Sequence, residues 1–313
     1  MDNIHIALAC DDNYAQHLGV ALVSIIENKT ADRKIFFHIL ENGLSQKNKE
    51  KIAFVINGSG CQSRFYHVGD EQIDNFPAPG HLSRATYLRL FLPYILPVEL
   101  ERVLYLDCDL VVLKDLGGLY QNDLNGKALA AVKDVKAKAI IRIYFYPGLL
   151  SYFNAGVMLI DLKKWRNLNL LEKSVEFINN HKEELSTADQ DVLNCLLKDD
   201  WLELDRVFNT DMKHQLMNGL PPKETVILHY SDKIKPWNYL YRGRNKKYYF
   251  KYLAHTPWAD FQYQDKNIKN FFKRYIISIN KEARNMLRPL APSWLIDWNK
   301  KKFLSKLSIN SKF

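Results

Sequence analysis

The chain has 313 residues, of which 47% are hydrophobic and 12% aromatic, and a net charge of +9. Such a composition suits a packed globular core in one large domain or one domain with an appendage, and no run of about 18 apolar residues offers a membrane span. The last 48 residues carry 12 Lys and Arg against two acidic residues, while the first 265 carry 32 against 33; a nearly neutral body argues against nucleic-acid binding, which would place the basic patch on the body itself.

Residues 1–5 lack a basic region followed by an apolar core, so no signal peptide is read there. Cys10, Cys61, Cys108 and Cys195 show neither metal-like nor disulfide-framework spacing and read as reduced thiols of a cytoplasmic protein.

Ile4 to Ala9 alternates apolar residues with His5 and Ala7, which predicts a first strand. It ends in Cys10-Asp11-Asp12-Asn13-Tyr14 and opens a helix over Tyr14 to Glu27, with Leu18, Ala21, Leu22, Ile25 and Ile26 as its apolar stripe. Asp and Asn here are ordinary helix caps, or a carboxylate and a ring able to read and stack a nucleobase. Strands over Ile35 to Leu40 and Gln62 to Val68 flank a helix from Ser45 to Ile56, an alternation that predicts an α/β fold with a largely parallel sheet. No glycine-rich dinucleotide or P-loop fingerprint follows any strand.

Ser83 reads as the cap of a helix carrying Tyr87, Leu88, Leu90, Phe91 and Tyr94. Arg89 among them is either on the exposed face or buried with an anionic partner. Next, Val103 to Leu106 and Leu110 to Leu113 read as buried strands around Asp107-Cys108-Asp109. Carboxylates two apart share one side of an extended chain. At the carboxyl edge of an open α/β sheet, where ligands bind, such a pair can hold one divalent ion; the alternative is a polar turn.

Asn125 to Val132 predicts a returning strand ending near Asp134, and Phe153 to Ile160 another, with Asn154 polar at its start. A helix from Leu162 would bury Trp165, Leu171, Val175 and Ile178. Thr187-x-x-Gln190 fits a capping box, and Asp189 and Gln190 could equally face a cleft. Val226 to Leu228 is a short late strand leading to His229, a possible metal ligand, and Lys235, a possible phosphate partner.

Taken in order, Ala9-x-Asp11-x-Asn13-Tyr14, Arg89, Asp107-x-Asp109, Phe153-Asn154-Ala155-Gly156, Asp189-Gln190-Asp191 and His229 followed by Lys235-Pro236-Trp237 resemble glycosyltransferase family 8. The likeness runs from about Ile4 to Trp237 and is nearest to bacterial lipopolysaccharide galactosyl- and glucosyltransferases. It implies a GT-A fold, a Rossmann-like nucleotide-binding α/β catalytic domain over residues 1–264. It also implies a UDP-sugar donor, Mn²⁺ with Mg²⁺ as the alternative, and retention of anomeric configuration.

The implied roles follow position by position. Ala9, Asp11, Asn13 and Tyr14 would bind the nucleotide and Lys235 its diphosphate. Asp107, Asp109 and His229 would hold the metal. Arg89, Asn154, Asp189 and Gln190 would form the donor-sugar pocket, with Asp189 and Gln190 the catalytic pair and Gln190 on the reactive face. His81 and Asp134 would meet the acceptor. The sequence departs from the family at Asp232, where Gly is usual three residues after the metal-binding His, and at Asn238, where the nearest relatives have His.

The activity implied is transfer of galactose or glucose to a glycan acceptor such as lipopolysaccharide or another surface glycan. A glycogenin-like primer that glycosylates one of its own 17 tyrosines is the alternative within the family. Asp232 also admits a catalytically silent sugar-nucleotide-binding protein. The missing glycine-rich loop counts against a metal-dependent nucleotidyltransferase.

Residues 265–313 read as a separate helical extension. Ile268, Phe271, Phe272, Tyr275, Ile276, Ile279, Ala283, Met286 and Leu287 fall on one helical stripe among basic residues, and Trp294, Leu295, Trp298, Phe303, Leu304 and Leu307 follow beyond Pro289 and Pro292. Basic amphipathic helices with tryptophans lie on anionic membrane surfaces. The expected location is therefore peripheral, on the inner face of the cell membrane, with packing of both helices on the catalytic domain as the alternative.

Overall fold

The computed structural model describes residues 3–78, 84–135, 146, 148–211, 223–272 and 274. His81 and Ser83 lie outside them, as does the apolar stripe from Tyr275 onward. The chain divides into two compact units, residues 1–236 with 242–262 and residues 237–241 with 263–313.

The first unit is built on a seven-stranded sheet. Its strands are β1 (Ile4–Cys10), β2 (Ile35–Glu41), β3 (Gln62–His67), β4 (Arg102–Leu106), β6 (Leu129–Lys133), β7 (Phe153–Asp161) and β8 (Trp201–Glu203), in the order β3-β2-β1-β4-β7-β6-β8. A smaller sheet of β5 (Leu110–Val112), β9 (Thr210–Asp211) and β10 (Ile227–His229) has the order β5-β10-β9. β3, β2, β1 and β4 are parallel, and because β7 runs antiparallel to both β4 and β6, β6 and β8 point the same way as β4. Six of the seven strands share one direction, and the expectation of a largely parallel sheet holds.

Alternation along β1 divides the core. Ile4, Ile6 and Leu8 join Leu18, Leu22, Ile25 and Ile52 on one face, contributed by α1 (Ala15–Asn28) and α2 (Gln46–Ile56). Ala7 joins Tyr105, Met158, Trp165, Ile178 and Val192 on the other. That face is covered by α3 (Leu162–Asn167), α4 (Leu170–Asn180) and α5 (Asp189–Leu197).

Three elements differ from the sequence reading. Asn125 and Gly126 both take positive φ and form a turn, so the strand expected from Asn125 begins at Leu129. The helix expected from Leu162 breaks at Asn169, whose φ is 48°, and restarts as α4, leaving Leu171 and Val175 half-buried. The segment around Arg89 is a 3₁₀ helix, Arg84–Phe91, rather than an α-helix. Behind it Arg166 donates to the carbonyls of Pro93, Leu96, Pro97, Val98 and Leu100, which fixes the approach to β4.

In the second unit, Tyr239 N donates to Asp265 at 2.8 Å, and Arg274 donates to the Tyr239 carbonyl at 2.7 Å with its guanidinium 4.6 Å over the Tyr239 ring. Ile268, Phe271 and Phe272 are exposed. Among the described residues no helix is long and apolar enough to cross a membrane.

Candidate active site

The carboxyl ends of β1, β4 and β6 share one edge of the large sheet. Asp107 leaves β4 and donates from its backbone N to the Gly156 carbonyl at 2.8 Å. The pairing of Leu110 with His229 then brings the last residue of β10 beside Asp109. His229 Nε2 lies 3.1 Å from Asp109 Oδ1 and 3.7 Å from Asp107 Oδ2, and the three ligand atoms lie within 4.8 Å of one another.

Two carboxylate oxygens and one imidazole nitrogen converging at this spacing fit a divalent ion. Gly156 leaves the space for it. A Cβ there would stand 2.4 Å from His229 Cε1 and 2.5 Å from Asp107 Oδ2.

Asp109 is also held by Lys235, whose Nζ donates to Oδ2 at 2.5 Å and to the Tyr230 carbonyl at 2.7 Å. Burial alone would raise the Asp109 pKa, but Lys235 and His229 outweigh it and hold the carboxyl far below its usual range. Lys235 thus stands as a cation beside the ligand set, buried, with its charge already engaged.

Arg89 is buried, as one of its two readings required, and all three of its nitrogens are used. Nη2 donates to Asp107 Oδ1 at 2.9 Å, Nη1 to the Ala155 carbonyl at 2.7 Å and Nε to the Thr86 carbonyl at 3.0 Å. Nε also lies 2.9 Å from Asp189 Oδ2, an ionic contact without hydrogen-bond alignment, because its N–H points at Thr86. Asp189 Oδ1 instead accepts from the Thr86 hydroxyl. Burial pushes the Asp189 pKa up to about 6 despite Arg89 and Thr86.

Gln190 stands in front of this buried pair. The Ala155 N–H donates to its Oε1 at 3.1 Å, so its Nε2 faces Asp134 Oδ2 at 3.3 Å. The capping-box reading of Thr187 does not hold. Ala188, with φ of 52°, occupies the N-cap position without a side-chain bond, and the Thr187 hydroxyl pairs with Tyr152. Asp191 reaches back instead, its Oδ2 accepting from the N–H groups of Ser186 and Thr187 at 2.8 Å and holding the segment ahead of the helix. Asn194 ties the helix to β7 by two bonds to the Phe153 backbone.

At the end of β1, the cap reading of Asp11 is what the structure shows: Oδ1 accepts from Tyr14 N at 3.1 Å. Asn13 is exposed and Tyr14 half-buried, its ring edge-on to His17 with centroids 5.2 Å apart. Ala9 accepts from the Cys108 thiol at 3.2 Å, which joins this loop to the Asp107–Asp109 turn. His17 is kept neutral by burial, its pKa lowered to about 3, and bonds Tyr249 at 2.7 Å.

The structure therefore brings together Arg89, Asp107, Asp109, Asp134, Asn154, Asp189, Gln190, His229 and Lys235, while His81 lies outside the described residues. Sequence reasoning gave Asp191 no role of its own beyond its place in the Asp189-Gln190-Asp191 run, and it missed His17, Asn194 and Asn209, single residues with no pattern around them.

Residues 5–241 match the model of the family described as glycosyl transferase family 8. The chain is 30% identical over 270 residues to general stress protein A of Bacillus subtilis, covering 82% of this chain and 94% of that protein. It is 34% identical over 285 residues to the lipopolysaccharide 1,2-glucosyltransferase of Escherichia coli, covering 87% and 84%. Among solved structures, the galactosyltransferase LgtC in complex with donor and acceptor sugar analogs superposes with a TM-score of 0.72 at 30% identity, covering 81% and 96%. A mixed sheet of the GT-A kind and a family model spanning most of the first unit lead to one conclusion: the chain belongs to glycosyl transferase family 8.

Proposed function

We propose that the protein transfers galactose or glucose from a UDP-sugar, with retention of configuration, to a glycan acceptor of the lipopolysaccharide or surface-glycan type. The observation that carries this reading is the junction at Arg89, which ties a candidate metal ligand, Asp107, to the polar group of Asp189 and Gln190. A charge site for a leaving diphosphate and a sugar-sized polar group then share one edge. The names of the relatives support both sugars, one being a glucosyltransferase and the other a galactosyltransferase.

Asp107, Asp109 and His229 would hold Mn²⁺, which would supply positive charge to the leaving diphosphate. Lys235 adds a second cation there once it exchanges Asp109 for a phosphate oxygen. Asp11, Asn13 and Tyr14 take the base, with Asp11 keeping Oδ2 available while Oδ1 caps the turn. Arg89 and Asp189, buried, support the donor-sugar pocket, while Asn154 and Gln190 line it.

Retention needs either a protein nucleophile or attack by the acceptor on the face from which the diphosphate departs. A neutral amide is a weak nucleophile, and the Gln190 oxygen already accepts from Ala155. We therefore favour same-face attack through an oxocarbenium-like species, with Asp134 on the acceptor side. The exposed Ile268, Phe271 and Phe272 open the basic tail and support its assignment to an anionic membrane surface carrying the acceptor.

The test is a panel of sugar nucleotides with Mn²⁺, scored for hydrolysis without acceptor. Hydrolysis of UDP-galactose or UDP-glucose that stops in excess chelator is expected. Undiminished hydrolysis in chelator, or none with any UDP-sugar, would sink the reading.

A further inference from the structure

Behind His229 runs a chain of hydrogen bonds whose polarity can be read from one end. The Gly156 N–H, which can only donate, points at the side chain of Asn154 at 3.0 Å, so the atom facing it is the Asn154 oxygen. Asn209 also approaches that oxygen, at 2.8 Å, and must therefore present its NH₂. This turns the Asn209 oxygen toward His229, 2.9 Å from Nδ1. An amide oxygen accepts, so Nδ1 carries the proton, and Nε2 offers its lone pair toward Asp107 and Asp109.

We propose that Asn209 is the positioning residue of the metal centre. It holds the His229 proton on Nδ1 and so keeps Nε2 open to a divalent ion shared with Asp107 and Asp109. This rests on the metal reading above. Without Asn209 the proton would sit on Nε2, donated to the Asp109 carboxylate, and the ring would close the site it is meant to complete.

The geometry limits what Asn209 can do otherwise. It is 6% exposed and, with Asp134, Asn154 and Asp211, lines a small cavity beside the site. Its two ends engage different groups, one on the metal side and one on Asn154, which lines the donor-sugar pocket. Asn154 spends its oxygen on Gly156 and Asn209, so its NH₂ is the end left to face that pocket. The same relay would therefore orient a metal ligand and a sugar contact from a single backbone N–H.

The experiment titrates the full chain with Mn²⁺ alone, following free Mn²⁺ by electron paramagnetic resonance. Asn209→Leu removes both bonds at similar volume, whereas Asn209→Asp keeps an acceptor for Nδ1. Partners behind a ligating histidine typically affect affinity by about 10–100-fold, so Asn209→Leu should weaken binding by that much and Asn209→Asp by less than about threefold. Equal losses in both variants, or a greater loss for Asp, would mean that Asn209 only fills space, and the proposal would fail.

A second measurement needs no variant. In the Mg²⁺-loaded wild type, nitrogen NMR of His229 should show the proton on Nδ1, and a proton on Nε2 would overturn the proposal. His229→Ala separates the two levels of inference. If it binds Mn²⁺ as the wild type does, the metal reading fails and this proposal with it. If it loses Mn²⁺ while Asn209→Leu keeps it, the positioning role alone fails.

Discussion

Arg89 donates from Nη2 to Asp107 Oδ1 at 2.9 Å, and its Nε stands the same distance from Asp189 Oδ2. One buried cation thus balances two carboxylates that belong to different parts of the site. Removing one member of such a cluster leaves uncompensated charge, at a cost of about 3–5 kcal/mol. Arg89→Ala is expected to lose that much in urea unfolding with chelator present, and to lose sugar-nucleotide hydrolysis. Arg89→Lys keeps the charge but not the fork, and should recover part of the stability and little of the turnover.

The raised pKa of Asp189 gives a stability profile with a definite sign. Its folded value is about 6, above the unfolded value of about 4, so the folded state holds the extra proton between those limits. The ionised group is therefore a penalty that grows as pH rises from about 4 to about 6 and is constant above. Measured against Asp189→Asn in chelator, the wild type should lose about 2–3 kcal/mol of relative stability across that window. A difference that stays flat from pH 4 to 7 would contradict the burial argument.

Gly156→Ala tests the space rather than the charge. The backbone there tolerates Ala, since Gly156 is not among the positive-φ glycines. The added methyl group, however, meets His229 and Asp107 at 2.4–2.5 Å. Mn²⁺ affinity should fall by about tenfold or more, as for a disturbed ligand shell. Retention of wild-type affinity would show that the ligands can move apart freely.

Uridine diphosphate with Mn²⁺ should stabilise the protein by about 2.7 kcal/mol at 100 times its dissociation constant, or about 5 °C in Tm. Adenosine and guanosine diphosphates should do much less if Asp11 and Asn13 read the base edge. Equal shifts from all three would refute a uracil site.

The tail is tested by sedimentation with vesicles. The full chain should pellet with anionic vesicles at low salt and not with neutral ones, and a chain ending at Asp265 should stay in solution with both. Each basic residue near an anionic surface adds about 1 kcal/mol, so a few suffice. A full chain that stays in the supernatant with anionic vesicles would remove the membrane assignment.

What the sequence disclosed follows the range of the interactions. The strands β1, β2, β4 and β7 were legible because alternation and apolar runs report burial residue by residue. Asp107 and Asp109 were legible as a pair because two-residue spacing sets their side locally. The break at Asn169 was not, since apolar residues keep helical spacing across it while one residue takes positive φ. Arg89 stayed ambiguous because its partners Asp107 and Asp189 are distant in sequence and the segment is 3₁₀ rather than α. His229 was legible only as a possible ligand after a short late strand until the resemblance gave it a place beside Asp107 and Asp109, and Asn209 carried no signal, because its meaning lies wholly in the pairing of β10 with β5 and β9.

That pairing has a consequence for how the protein matures. His229 meets Asp109 across a separation of 120 residues, whereas β1, β2 and their helix assemble from neighbours in the chain. Contacts of such long range close late, after the chain entropy of the intervening loop has been overcome. During refolding, helical signal should therefore return ahead of catalytic competence. A partly assembled chain would carry the local pairing of β1 with β2 before Asp109 and His229 meet.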